Sequence, residues 1–180
     1  MKCNIVFIIN RKSGNSSKAG LENQIRMHSI SIEHNCQFFY TEGPGHAIDL
    51  ARRAVDYGAE IVVAVGGDGS VHEVGAGLIH SDVALGVIPM GSGNGFATHI
   101  GIPKNIDRAL SILSTNHFER IDTCMLNGRT FINLAGIGFD GLVANAIKGK
   151  RLRGFLGYTF NTLLQYLQYS APSLKIETDN

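Results

Sequence analysis

The sequence predicts an α/β protein in which a three-layer, parallel-sheet domain is followed by the start of a β-sandwich. Three observations predict it. Ile61 to Val65 is a continuous apolar run, the pattern of a central parallel strand covered on both faces. Strand-like runs alternate with helical stripes from Asn4 to Asn116, which favours βαβ units with right-handed crossovers. Beyond that point the pattern changes, and Asn127-Gly128 between two β-rich runs is a type I′ hairpin signal.

Asn4 to Asn10 reads as a strand closed by the turn Arg11-Lys12-Ser13-Gly14-Asn15, with a helix after it. Ile32 to Thr41 is strand-like and Gly43-Pro44-Gly45 breaks it. His46 to Tyr57 carries Ala47, Ile48, Leu50, Ala51, Ala54 and Val55 at helical spacing, and Gly58 ends that helix. After the Ile61 strand come a glycine turn, Gly66-Gly67-Asp68-Gly69-Ser70, and a helix over Val71 to Ile79. Ala84 to Pro89 predicts a strand, Gly91-Ser92-Gly93-Asn94-Gly95 a second glycine loop, and Asn105 to Asn116 a helix. The first domain is therefore placed at residues 1–116. Residues 117–180 read as a second, β-rich domain: a hairpin of His117 to Met125 with Thr130 to Ala135, an apolar helix over Arg153 to Tyr169, and a strand over Leu174 to Thr178. Three strands make an incomplete β-domain, so the protein is expected to continue past Asn180.

A chain of 180 residues fits one domain or one domain and part of a second. Its 44% hydrophobic and 17% charged residues are ordinary for a globular protein, whereas 22 glycines exceed average usage. A formal charge of +1 argues against electrostatic capture of nucleic acid, and no nucleic-acid motif is present. Cys3, Cys36 and Cys124 are odd in number and have neither disulfide-framework nor zinc-site spacing. The apolar run Ile5 to Ile9 is too short for a signal-peptide core, so a cytoplasmic location is expected.

Three loops leave strands at the carboxyl edge of the predicted sheet, where open α/β sheets bind ligands: Arg11 to Asn15, Gly66 to Ser70 and Gly91 to Gly95. Glycines let backbone N–H groups approach a bulky anion, and a helix N-terminus adds favourable partial charge. A polyphosphate fits the Gly66 turn. Asp68 would repel it unless a divalent cation or a substrate hydroxyl lies between, so Asp68 points to magnesium handling or proton abstraction; it reads equally as a helix N-cap, with Ser70 as a second cap candidate. Ser92 and Asn94 are donors in the second loop. Asn10, Ser13 and Gly14 belong to the first, with Lys12 and Lys18 as phosphate partners or solvated charges. No Walker A pattern occurs. Gly136-Ile137-Gly138-Phe139-Asp140-Gly141 is formally GxGxxG, but the acidic residue that dinucleotide binding needs about 20 positions on is absent between Asp140 and Glu177.

Gly66-Gly67-Asp68-Gly69-Ser70-Val71-His72-Glu73 is similar to the GGDGTxxE signature of the diacylglycerol kinase catalytic domain, a family that includes sphingosine, ceramide and bacterial lipid kinases. Asn10-Arg11-Lys12-Ser13-Gly14 resembles the family's opening NPxSG, Thr41 before Gly45-His46-Ala47 its T…GHA, and Gly91-Ser92-Gly93-Asn94 its GTxN loop. The resemblance implies transfer of the γ-phosphoryl group of ATP to a lipid hydroxyl with Mg²⁺. It implies a nucleotide site formed by Asn10, Arg11, Lys12, Ser13, Gly14, Thr41, Gly66, Gly67, Asp68, Gly69, Ser70, Glu73, Gly91, Ser92 and Asn94. Asp68 would be the catalytic and metal-linked residue, and Asp140 either faces the lipid head group or caps a helix. Arg11 departs from the family's frequent proline, and Gly95 from the aspartate of many diacylglycerol kinases. Acidic residues that the bacterial branch carries in its later strands are not in this chain, so a nucleotide-binding fragment without turnover is kept as an alternative. NAD kinase, which shares the GGDG turn, is another, and phosphofructokinase a more distant one. Lys148, Lys150, Arg151 and Arg153, before an apolar helix with Phe155, Leu156, Tyr158, Phe160, Leu163, Leu164, Tyr166 and Leu167, suit a peripheral approach to the inner membrane surface, or else a helix packed on the sandwich. A homodimer is left open.

Overall fold

A computed structural model describes residues 2–11, 19–115, 117–147, 159, 162–163, 165–167 and 169–177. These residues form two compact units, Met1–Asn133 and Leu134–Asn180. The first contains a four-stranded parallel sheet of β1 (Asn4–Asn10), β2 (Asn35–Thr41), β3 (Ile61–Gly66) and β4 (Ala84–Pro89), in the order β2-β1-β3-β4. Around it run α1 (Ala19–Met27), α2 (Ser29–Glu33), α3 (His46–Asp56), α4 (Asp68–Leu78), α5 (Gly95–His99) and α6 (Ile106–Leu113).

Alternation along the strands builds the three layers. Val6, Ile8, Val62, Ala64 and Val87 face one way, onto Ala47, Leu50, Ala51 and Ala54 of α3 and Val71, Val74 and Leu78 of α4. Ile5, Phe7, Ile9, Ile61, Val63, Val65 and Ile88 face the other, onto Leu21 and Ile25 of α1, Ile30 of α2 and Leu110 of α6. Every residue of β3 is buried, as its unbroken apolar run requires. Full burial of a side chain the size of Phe7 or Ile8 contributes about 1.5–3 kcal/mol.

Small residues let α3 and α4 lie close. A Cβ on Gly77 would stand 2.6 Å from the Ile48 carbonyl oxygen and 2.7 Å from Ala51 Cβ. Because the first obstacle is backbone, Gly77→Ala is expected to lower unfolding stability by about 1–3 kcal/mol in a urea titration, despite alanine's better helix propensity.

Sequence and structure differ in several places. The second strand starts at Asn35 rather than Ile32, because Ser29–Glu33 forms a helical turn capped by His28 Nδ1, which accepts from Ile30 N–H and buries Ile30. Gly95, read as loop, opens α5. The hairpin is shorter than expected, β5 (Cys124–Leu126) against antiparallel β6 (Arg129–Phe131), but its turn is as read: Asn127 and Gly128 both have positive φ, 49° and 73°. Ile132, just past β6, packs on the first unit's core. Leu174 to Glu177 form no strand, and Thr178 lies outside the described residues. Among the described residues the second sheet is these two strands alone.

In the second unit, α7 (Phe139–Ile147) follows Gly138, which has φ 75°. Phe139 packs edge-on against Tyr166 and Tyr169. Thr159, Thr162, Leu163 and Gln165 to Leu167 are helical, inside the predicted Arg153 to Tyr169 helix; Lys148, Lys150, Arg151, Arg153, Phe155, Leu156, Tyr158, Phe160 and Leu164 lie outside the described residues. No helix among the described residues is long and apolar enough to cross a membrane.

Candidate functional site

The strand order fixes where a ligand can enter. From β1 the chain crosses to β2 on one side, then returns to place β3 and β4 on the other, so the connections reverse direction between β1 and β3. Sheets of this kind open a crevice at that switch point, outside the carboxyl ends of the strands. Asn10 ends β1 and Gly66 ends β3. Across the crevice Asn10 Nδ2 donates to Ser70 Oγ at 3.0 Å, and Ser70 is buried. A side chain on Gly66 would collide with that serine, its Cβ 2.6 Å from Ser70 Cβ, so the strand must empty into glycine.

The turn and the helix after it present amides. Gly67, extended at φ −92° and ψ −172°, is the N-cap of α4, and its carbonyl takes the N–H groups of Ser70 and Val71 at 2.9 and 3.1 Å. The N–H groups of Asp68 and Gly69 in the first turn have no acceptor among the described residues. A Cβ on Gly69 would meet nothing within 4 Å. Two N–H groups without an acceptor among the described residues, at the N-terminus of an eleven-residue helix, suit an anion.

The second glycine loop lies directly against the first. A Cβ on Gly91 would stand 2.5 Å from Gly67 Cα, and Met90 N–H donates to Gly66 O at 2.7 Å. Asn94 holds this loop: its Oδ1 accepts from Gly91 N–H and its Nδ2 donates to Gly91 O, both at 2.8 Å, with the residue buried and left-handed at φ 56°. Its side chain is thus committed inside the loop. Ser92 is exposed.

Asp68 is the first residue of α4 rather than its N-cap, and it caps a different helix. Its Oδ1 accepts from Phe96 N–H of α5 at 3.0 Å. Asn94, the α5 N-cap, makes no side-chain cap bond because its amide is occupied with Gly91. The Asp68 carboxylate therefore ties the first glycine turn to the second, and among the described residues its Oδ2 has no hydrogen-bond partner. On the same helix Glu73 Oε2 accepts from Ala47 N–H at 3.3 Å.

Beside the sheet's outer edge, Thr41 pairs in register with Asn10 and lines an open groove of about 540 Å³ with Arg11, Tyr40, His46 and Arg53. The Arg11 guanidinium stacks 4.2 Å from the Tyr40 ring centroid. Lys12, Ser13, Gly14, Asn15 and Lys18 lie outside the described residues. Asp140 sits exposed in the first turn of α7, in the second unit. Of the three loops expected at the carboxyl edge of the sheet, Gly66 to Ser70 and Gly91 to Gly95 follow β3 and β4 there, and Arg11, the described part of the first, follows β1. Sequence reasoning missed the amides of Phe96 and Ala47, which carry no side-chain signal.

The family model of the diacylglycerol kinase catalytic domain matches residues 4–126. The chain belongs to that family. It is 31% identical over 143 residues to a probable lipid kinase YegS-like protein of Enterobacter sp. (strain 638), covering 76% of this chain and 48% of that one. A probable lipid kinase YegS-like protein of Chromohalobacter salexigens is 36% identical over 131 residues, with 69% and 42% covered. Among solved structures, a putative diacylglycerol kinase from Bacillus anthracis str. Sterne superposes with a TM-score of 0.69 at 26% identity, over 77% of this chain and 52% of that one. The chain thus spans about half the length of the curated relatives it matches.

Proposed function

We propose that the chain forms the nucleotide-binding part of an ATP-dependent lipid kinase, which transfers the γ-phosphoryl group to a lipid hydroxyl at the inner membrane surface. The observation that carries this reading is the pair of amides at Asp68 and Gly69 that have no acceptor among the described residues, at the switch point, with a tethered carboxylate beside them. Family membership supports it, since the matched family is a kinase catalytic domain and relatives are named lipid kinases.

Phosphates suit the amides of Asp68 and Gly69, and the Thr41 and Arg11 groove has room for the rest of a nucleotide. Mg²⁺ commonly binds through one or two carboxylates together with substrate phosphates, so the outer oxygen of Asp68 fits it as a single protein partner. Among the described residues no cluster of three or more His, Cys, Asp or Glu could hold a metal alone. When bound, Mg²⁺ would neutralise charge on the transferring phosphoryl group. Asp68 Oδ1 accepts from Phe96 N–H, which fixes the carboxylate so that Oδ2 would hold the ion or take the lipid hydroxyl's proton. Asn10 and Ser70 bridge the crevice between the ends of β1 and β3, and Gly91 and Asn94 hold the second glycine loop against the first. In the second unit, Asp140 is proposed to face the lipid head group.

Calorimetric titration with Mg²⁺-ATP is expected to give saturable heat, and radiolabelled ATP is expected to label diacylglycerol or a sphingoid base. Label on NAD alone would end the lipid reading. Binding without transfer would reduce the chain to a nucleotide-binding unit, and no heat under any condition would remove the nucleotide site.

A further inference from the structure

We infer that Glu73 is a positioning residue, which holds the wall of the nucleotide site formed by Thr41 to His46 by capping the buried Ala47 N–H in the first turn of α3. The inference rests on the proposed nucleotide site for its functional part, and on geometry alone for its structural part. Helix α3 begins at a residue that cannot cap it: Gly45, its N-cap, is left-handed at φ 82° and has no side chain. The first N–H groups of a helix lack intrahelical partners. Ile48 N–H closes onto Gly45 O at 3.1 Å, and His46 N–H reaches Gly43 O at 3.4 Å. Ala47 N–H has neither. Ala47 is 1% exposed, so water cannot stand in for a missing acceptor, and the acceptor supplied is Glu73 Oε2 at 3.3 Å, from further along α4 than Asp68.

Placing a carboxylate at a helix N-terminus also favours the negative charge. From there the constraint reaches the site through a short path. His46 Nδ1 accepts from Glu42 N–H at 3.1 Å, which closes the turn between Thr41 and α3, and Thr41 is locked in register beside Asn10. Thr41, Glu42 and His46 line one groove. Helix α4 thus carries two carboxylates that each cap a neighbouring helix. Asp68 caps α5 and anchors the second glycine loop, and Glu73 caps α3 and anchors the Thr41 turn. Glu73 acts on a ligand through α3 rather than by touching it.

The test compares Glu73→Gln, whose amide oxygen still accepts from Ala47 N–H, with Glu73→Ala, which leaves that donor unpaired. Hydrogen exchange without nucleotide is expected to speed up at Ala47 at least tenfold in Glu73→Ala and to stay within about twofold of the unaltered protein in Glu73→Gln. Mg²⁺-ATP dissociation constants are expected to rise about tenfold in the first variant and stay near the unaltered value in the second. Unchanged Ala47 exchange in Glu73→Ala overturns the inference. So does Glu73→Gln that loses ATP affinity while Ala47 stays protected, because the carboxylate would then be contacting the ligand. If Glu73→Ala does not fold, the Glu73→Gln pair of measurements decides alone. Failure of the unaltered protein to bind ATP would strike the proposed function, and the exchange result would still judge the cap.

Discussion

Asp68→Asn is expected to lower phosphoryl transfer to a lipid hydroxyl by about 10²–10⁴-fold, the range for removing a group that moves a proton or orients a metal-bound water, while the glycine loops stay in place. The asparagine side-chain oxygen can still accept from Phe96 N–H, the bond that Asp68 Oδ1 makes at 3.0 Å. What it loses is the charge on the oxygen that has no hydrogen-bond partner among the described residues. Asp68→Ala separates the two roles. It removes that charge and also strands the N–H of Phe96, which is 7% exposed, at about 1–3 kcal/mol for an unpaired buried donor. Turnover with labelled ATP should fall in both variants. Accelerated amide exchange at Phe96 and Ala97 should appear in the alanine variant alone, whereas binding of Mg²⁺-ATP, which draws on the charge lost in both, should weaken in both. Full turnover in Asp68→Asn would remove Asp68 from the chemistry and leave it the cap of α5.

The sheet was legible because its signals are local and strong. An unbroken run such as Ile61 to Val65 has few uses other than a covered strand, and Asn127-Gly128 fits few backbones other than a type I′ turn. The glycine loops were legible for a related reason, since a chain that places glycine at 66, 67 and 91 needs close backbone contact there. Illegible features depend on partners distant in sequence. Ser29 to Glu33 contains β-branched isoleucine and borders a strand, yet turns helical because Ile30 fills the core and His28 caps the turn. The roles of Asp68 and Glu73 as caps of helices other than their own could not be read from α4, because the amides they serve are 28 and 26 residues away. Asn94 was read as a ligand donor; a left-handed asparagine among glycines was the available sign that its amide folds back on its own loop.

Two glycine-to-alanine changes should separate the anion cradle from the scaffold that supports it. In Gly91→Ala the added methyl stands 2.5 Å from Gly67 Cα and 2.9 Å from Asn94 Oδ1. Neither neighbour is the end of a flexible side chain free to swing away: one is backbone, the other is bonded to Gly91 N–H. The two loops must part, so stability is expected to fall by about 1–3 kcal/mol, together with ATP affinity. Gly69→Ala meets nothing within 4 Å and sits in the first turn of α4. Alanine there reduces the freedom of the unfolded chain and suits a helix, so stability is expected to hold or to rise by up to about 1 kcal/mol. Yet that open space is where an anion held by the Asp68 and Gly69 amides would lie, and a methyl in it forces the phosphate away from both. ATP affinity is therefore expected to drop at least tenfold, about 1.4 kcal/mol, in a protein whose urea midpoint has not fallen. Retained affinity in a stable Gly69→Ala would move the phosphates off the α4 N-terminus and leave the glycines there to the packing of one loop against the other.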